Sequence, residues 1–280
     1  MKKKIFKDIL GKKLSGEKIT MLTAYDYSMA KLIDQADIDM ILVGDSVANV
    51  VLGLESTKEM TMDQMVYHAS AVRRGAENAL VVGDMPFESY QLDIAQATCN
   101  ARRFIDEAGC DAIKLEWFDH CLEVAKEIIK AQIPVMGHIG LTPQTAEALG
   151  GFKVQGKDTE SAKKLIDQAV ALEQAGCFSL VLECIPDKIA EMITKKISIP
   201  TIGIGAGLFC DGQVLVTHDI LGLFDRFKPK FSKQYLDLSS IISSAVMLYR
   251  NEVLSGQFPD KEHSFTVKQE VIDKLKGGQN

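Results

Sequence analysis

Eight short apolar runs recur along the chain, separated by stretches of mixed polar and apolar residues. They are KITMLTAY (18–25), DMILVGDS (39–46), ALVVGDMP (79–86), DAIKLEW (111–117), PVMGHIG (134–140), FSLVLEC (178–184), PTIGIGAG (200–207) and QVLVTHD (213–219). Each is rich in Val, Ile and Leu, as expected of a parallel strand buried on both faces. Between most of them, residues 26–36, 62–78, 93–108, 119–131, 159–175 and 186–196 place Ala and Leu on one stripe and Glu and Lys elsewhere. That spacing predicts amphipathic helices. Strand and helix alternate, which predicts βαβ units and a parallel sheet.

Five of the runs end in residues able to do acid, base or metal chemistry: Asp45 and Ser46, Asp84, Lys114 and Glu116, His138, and Glu183. An open doubly wound sheet would gather its ligand chemistry at one switch point. Only a closed barrel brings the ends of strands two to six around one mouth. The fold expected is therefore α/β, a (β/α)8 TIM barrel. Ala108–Gly109 and Ala175–Gly176 precede strands four and six and suit helix C-caps. Pro134 and Pro200 open strands five and seven, where a missing N–H is tolerated. Residues 47–61 and 141–158 are long loops on the mouth side, read as binding loops or lids. The tail from about residue 256 is polar, and residues 1–280 read as one barrel domain.

Composition narrows the function. The 280 residues are enough for one barrel and its trimmings. A net charge of −6 argues against a nucleic-acid surface, which needs a clustered basic face. No signal peptide or membrane span is read in the sequence. The six cysteines, at 99, 110, 121, 177, 184 and 210, form no C-x-x-C pair. They read as free thiols in a reducing cytoplasm.

Asp45 and Asp84 each follow a glycine, read as room for a carboxylate to approach a ligand. A single strand-end aspartate more often caps a helix. Two from adjacent strands, with Glu116 from the next, make an oxygen-rich site for a hard divalent ion such as Mg²⁺. Lys114 and Glu116, two apart on one strand, share a face, with Ile113 and Leu115 on the other. Lys114 could offset the carboxylates or hold an anionic substrate; a buried ion pair is its rival reading. His138 fits a hydrogen-bonded interior histidine as well as a substrate contact. Glu183, across the mouth from Asp45, suits a general base. Gly203, Gly205 and Gly207 complete no dinucleotide fingerprint and read as close backbone approach to a ligand. His68, His120, His218 and His263 read as structural or surface residues.

Taken together, MLTAYDYSMAKLID, VGDSVANVVLG, MVYHASAVRRGA, VVGDMPFESY, AIKLEW, PVMGHIGLTPQ, LVLEC, IGIGAG, DGQVLVTHDILGL and FPDKEHSF resemble the ketopantoate hydroxymethyltransferase family over residues 3–266. The resemblance implies a barrel of the phosphoenolpyruvate/pyruvate superfamily type. It implies transfer of a hydroxymethyl group from 5,10-methylenetetrahydrofolate to 3-methyl-2-oxobutanoate, giving 2-dehydropantoate for pantothenate and coenzyme A synthesis. It implies Mg²⁺ at Asp45, Asp84 and Glu116, where it would stabilise an enolate. The oxo acid would sit at Asp45, Ser46, Asp84 and Lys114, with His138 helping to orient it and Glu183 as proton acceptor. It further implies a homo-oligomer, a decamer. The chain departs from the family at Lys58-Glu59-Met60, where an apolar pair is usual, and at Leu208-Phe209-Cys210. Two alternatives stay open. One is another Mg²⁺-dependent oxo-acid C–C bond enzyme of the superfamily, although the lyases' Lys-Lys-Cys-Gly-His loop is absent. The other is a barrel that binds metabolites without catalysis.

Overall fold

A computed structural model describes residues 2–145 and 153–277. Eight parallel strands close in sequence order into a barrel: β1 (Ile19–Thr23), β2 (Met40–Val43), β3 (Leu80–Asp84), β4 (Ala112–Glu116), β5 (Val135–Gly140), β6 (Ser179–Glu183), β7 (Thr201–Ile204) and β8 (Gly212–Leu215). Every one lies within an apolar run expected to be a strand, or begins one residue before it. Helices α1 (Phe6–Ser15), α2 (Tyr27–Gln35), α3 (Val47–Val50), α4 (Met62–Gly75), α5 (Ile94–Asp106), α6 (Cys121–Lys130), α7 (Thr159–Ala175), α8 (Asp187–Lys196), α9 (Thr217–Leu221), α10 (Leu238–Ser255) and α11 (Gln269–Gly277) complete the chain. The six expected helices correspond to α2 and α4 to α8.

Strand alternation divides the apolar core in two. Side chains such as Met21, Met40, Leu80, Val82, Met136, Val181 and Ile202 fill the barrel interior. Ile41, Val43, Val81, Ile113, Leu115 and Leu182 point outward and pack on the helices. Phe6 and Ile9 of α1 join the interior cluster, so this helix stops the end of the barrel where the strands begin. The apolar spacing of α1 is visible in KIFKDILGKKL, but the reading of that stretch went no further than excluding a signal peptide.

The joints have local causes. Asp26, Thr61, Asp93 and Asp158 cap α2, α4, α5 and α7 by accepting backbone N–H bonds. Gly176 ends α7 at φ 99°, a left-handed conformation that costs glycine little. The loop after β2 is ordered despite its departure from the family pattern. Ser56 and Glu59 form a reciprocal capping box, and Met60 is buried. In the loop after β5, residues 146–152 lie outside the described residues, so the lid reading of 141–158 is untested there. The polar tail expected after residue 256 carries α11.

Candidate active site

Register sets the site. In the β3–β4 ladder Asp84 pairs with Lys114, in β4–β5 Glu116 pairs with His138, and in β5–β6 Gly140 pairs with Glu183. Alternation turns Lys114, Glu116 and His138 inward, as the two-residue spacing in AIKLEW predicts. These side chains form the layer above the apolar filling, at the strands' C-terminal ends.

The charged groups touch one another in sequence around the mouth. Lys114 Nζ lies 2.6 Å from Asp84 Oδ1 and 4.0 Å from Glu116 Oε1. His138 Nδ1 is 3.4 Å from Glu116 Oε1, and its Nε2 is 3.3 Å from Glu183 Oε2. Lys114 Nζ and His138 Nδ1 are 3.5 Å apart. Asp84 Oδ2 accepts the backbone N–H of Asp45 at 3.2 Å. Ser46 Oγ sits 2.8 Å from the hydroxyl of Tyr25. All seven residues expected from the strand ends are thus gathered at one mouth. Neither Asp45 nor Asp84 caps a helix: Ser46 is the N-cap of α3, with no side-chain cap bond, and Pro86 precedes the 3-10 turn after β3.

Burial sets the electrostatics. It pushes the Asp84 carboxyl up to about 7, and the adjacent Lys114 only partly offsets this. Burial also raises Glu116, opposed by His138 and Lys114. Burial alone would lower Lys114, but Asp84, Glu116 and Asp45 outweigh it and hold the ammonium above its usual range. His138 is pulled down by burial and by Lys114, yet the Glu116 and Glu183 carboxylates beside it raise it to about 9. Four carboxylates therefore share the mouth with two cationic side chains, and Asp84 Oδ1 and His138 Nε2 are buried without a directional hydrogen bond among the described residues.

That excess of oxygen and negative charge fits a hard dication. Among the described residues no three His, Cys, Asp or Glu side chains are drawn close enough to cage a metal ion. Mg²⁺ does not require a cage, because it is usually held by one or two carboxylates with water and substrate oxygens completing the octahedron. Asp45, Asp84 and Glu116 suit that open arrangement.

Two glycine readings are corrected. Gly83 does not make room for a ligand: a Cβ there would run into the ring of Phe104 on α5. A Cβ at Gly44 would lie 2.9 Å from Ser46 Oγ. Likewise Gly203, Gly205 and Gly207 are crowded by Cys210, Phe231 and Asp187, so protein side chains take the space assigned to a ligand. The histidine readings hold for all four residues, with His120 exposed before α6. His68 Nδ1 is 2.7 Å from the Tyr25 carbonyl, His218 stacks obliquely on Tyr25, and His263 binds Asp260 in the exposed tail. Tyr25, Tyr90 and Gln144 were missed, since neutral polar residues carry no charge signal; GHIGLTPQ and GDMPFESY were noticed only as blocks.

The closed parallel barrel with its carboxylate-rich mouth is an α/β-barrel fold shared with 2,3-dimethylmalate lyase, a phosphoenolpyruvate mutase/isocitrate lyase superfamily member (TM-score 0.58, 11% identity, 98% of this chain and 99% of that one). Phosphonopyruvate hydrolase in complex with oxalate and Mg²⁺ shares the fold too, at TM-score 0.61 and 13% identity over 99% of this chain and 95% of that one. The ketopantoate hydroxymethyltransferase family model matches residues 3–261, and the chain belongs to that family. The 3-methyl-2-oxobutanoate hydroxymethyltransferase of Syntrophomonas wolfei is 56% identical over 264 residues, covering 94% of this chain and 96% of the relative. Its counterpart in Clostridium botulinum strain 657 is 58% identical over 260 residues, covering 93% and 94%.

Proposed function

We propose that the chain transfers the one-carbon unit of 5,10-methylenetetrahydrofolate to 3-methyl-2-oxobutanoate, giving 2-dehydropantoate and tetrahydrofolate with uptake of one water. The observation that carries this is the continuous run Asp84–Lys114–Glu116–His138–Glu183 at the mouth. In this reading Glu183 at one end is the base, and at the other Lys114 is an anion-binding ammonium beside oxygens suited to a metal.

Glu183 takes the proton from C3 of the oxo acid. His138 bridges it to Glu116 and holds both carboxylates in register. This reading moves His138 from orienting the substrate to orienting the base. Lys114 binds the substrate carboxylate, and Ser46, steadied by Tyr25, offers a hydroxyl beside it. Mg²⁺ at Asp45, Asp84 and Glu116 supplies, when bound, Lewis-acid polarisation of the substrate's keto oxygen. The methylene carbon ends bonded to C3 and to a water-derived hydroxyl, both of its C–N bonds to the folate break, and the two folate nitrogens take up the proton lost from C3 and one from water. The folate carries the one-carbon chemistry while the protein orients the partners.

The test is proton-to-deuteron exchange at C3, followed by NMR with and without Mg²⁺ before folate is added. Metal-dependent exchange that yields 2-dehydropantoate once methylenetetrahydrofolate is present supports the reading. Absence of exchange even with tetrahydrofolate present rejects it.

The same proposal extends to assembly and compartment. Helix α10 has no buried residue, and it exposes Ile241, Ile242, Val246, Met247, Leu248 and Tyr249. Contiguous exposed apolar side chains on one helix suit an interface. Further copies of the chain would cover it in a homo-oligomer, a decamer, measurable by light scattering. No described helix is long and apolar enough to cross a membrane, and all six cysteines are free, which suits a cytoplasmic enzyme.

A further inference from the structure

Gln144 lies in a short 3-10 turn after β5 (Pro143–Thr145) and is fully buried. Its side-chain nitrogen donates to Asp45 Oδ2 at 2.9 Å and to the Met85 carbonyl at 3.1 Å. Its side-chain oxygen accepts from the Tyr90 hydroxyl at 2.5 Å. Its backbone N–H donates to Glu116 Oε2 at 3.1 Å. One uncharged residue thus ties together the loops after β2, β3 and β5 and the end of β4. The amide has one workable orientation, because a flip would set its oxygen against both a carboxylate and a carbonyl. Tyr90 is itself fixed, buried and edge-on to Phe118 with ring centres 5.3 Å apart.

We propose that Gln144, locked by Tyr90, is a positioning residue for Asp45 and Glu116. Its side chain occupies Asp45 Oδ2 and its backbone N–H occupies Glu116 Oε2, so that a ligand meets Asp45 through Oδ1, while Glu116 Oε1 faces His138. A lysine or arginine there would neutralise the pocket and compete with a cation. A carboxamide supplies directional donors and adds no charge. Groups that orient metal ligands in this way are worth about 10–100-fold in metal affinity or activity. The proposal rests on the metal reading of this site given above.

The test uses full-length Gln144→Met, which keeps length and the backbone N–H to Glu116 but loses the three side-chain hydrogen bonds, and Tyr90→Phe, which removes the hydroxyl from the amide oxygen. Free Mn²⁺ is counted by electron paramagnetic resonance without substrate, and kcat and KM for C3 exchange are measured beside the melting temperature. Gln144→Met is expected to weaken Mn²⁺ binding about 10–100-fold in protein that is still folded at the assay temperature, and Tyr90→Phe to weaken it by less. Glu183→Gln, which should bind Mn²⁺ normally, separates loss of the base from loss of the metal site. A folded Gln144→Met with wild-type Mn²⁺ affinity and wild-type exchange overturns the proposal. If Gln144→Met does not fold, Tyr90→Phe decides on the same two readouts. If the wild-type protein binds no Mn²⁺, the metal reading fails separately, and Gln144 is judged by kcat for exchange: a fall keeps the role, and no fall removes it.

Discussion

The two ends of the barrel use the same residue types for opposite purposes. At the closed end, Asp39, Asp111 and Asp211 stand just before β2, β4 and β8. Each accepts a backbone N–H from the neighbouring strand: Thr20 at 2.8 Å, Val81 at 3.0 Å and Thr201 at 2.8 Å. Each also meets cations, with Lys12 at 2.7 Å from Asp39, Lys3 at 2.6 Å from Asp111 and Lys13 at 2.8 Å from Asp211. Arg73 adds to Asp111 and Lys4 to Asp39. Lysines on and beside α1 thereby fasten the helix that stops the barrel. At the open end, carboxylates outnumber cations, and burial raises Asp84 and Glu116. Matched charge with full hydrogen bonding serves stability; unmatched buried charge is maintained for a ligand.

The largest effect that separates the ends is catalytic. Glu183→Gln should lower C3 exchange by about 10²–10⁴-fold, the usual worth of a positioned base. It should leave the urea midpoint near the wild-type value, because Glu183 is in contact only with His138 in the charged run. A variant that keeps most of its exchange removes Glu183 as the base.

The converse substitution lies at the closed end. Asp39 is 1% exposed and satisfies Thr20 and two lysines, so Asp39→Asn leaves cations and donors short of a partner. Breaking a buried pair costs about 3–5 kcal/mol; Lys12 can swing to solvent, so about 2–3 kcal/mol is expected here. Urea unfolding reads the loss, and kcat for exchange should stay within about two-fold, as surrounding sites far from one another act independently. Equal loss of activity and stability would mean that the two ends are not separate.

Metal should act on one end only. Mg²⁺ at about 100 times its dissociation constant stabilises a protein by about 2.7 kcal/mol if it binds the folded state alone. Asp39→Asn should gain the same increment as wild type, while Asp45→Asn combined with Asp84→Asn should gain none. A thermal shift retained in the double variant would place the ion elsewhere.

How much of this was legible in sequence follows from the same contrast. Asp45, Asp84, Lys114, Glu116, His138 and Glu183 stood out because each interrupts an apolar run at the same end, and strand periodicity alone turns them into one mouth. Asp39 and Asp111 open the runs DMILVGDS and DAIKLEW just as visibly. Their partners, however, lie far away in sequence on a helix that was not recognised, and a salt bridge between Lys13 and Asp211 has no local signature. Gln144 was silent for another reason: a neutral amide reveals its role only through hydrogen bonds made across loops. Helix α10 escaped because its serines blur an apolar stripe that no part of the described chain covers.

The smallest and most selective test is the pH dependence of stability in metal-free protein, where the two ends should have opposite signs. Burial would raise Asp39, but bonds from Lys12 and Thr20 outweigh it and hold its carboxyl below the ordinary 3.8. Its contribution is fully present above that value and is lost as pH falls through the lowered folded one. Asp84 runs the other way. With its folded value raised from 3.8 to about 7, the folded state binds the extra proton. Its contribution is greatest below the unfolded value and disappears as pH rises through about 7. One group can tilt the profile by at most about 1.4 kcal/mol per pH unit. Denaturant unfolding across pH 3 to 8 should therefore show Asp39→Asn flattening the acid limb and Asp84→Asn flattening the decline toward neutrality (about one proton each). If Asp84→Asn leaves the profile between those limbs unchanged, the open end is as well matched in charge as the closed one, and its excess of carboxylates no longer argues for a dication.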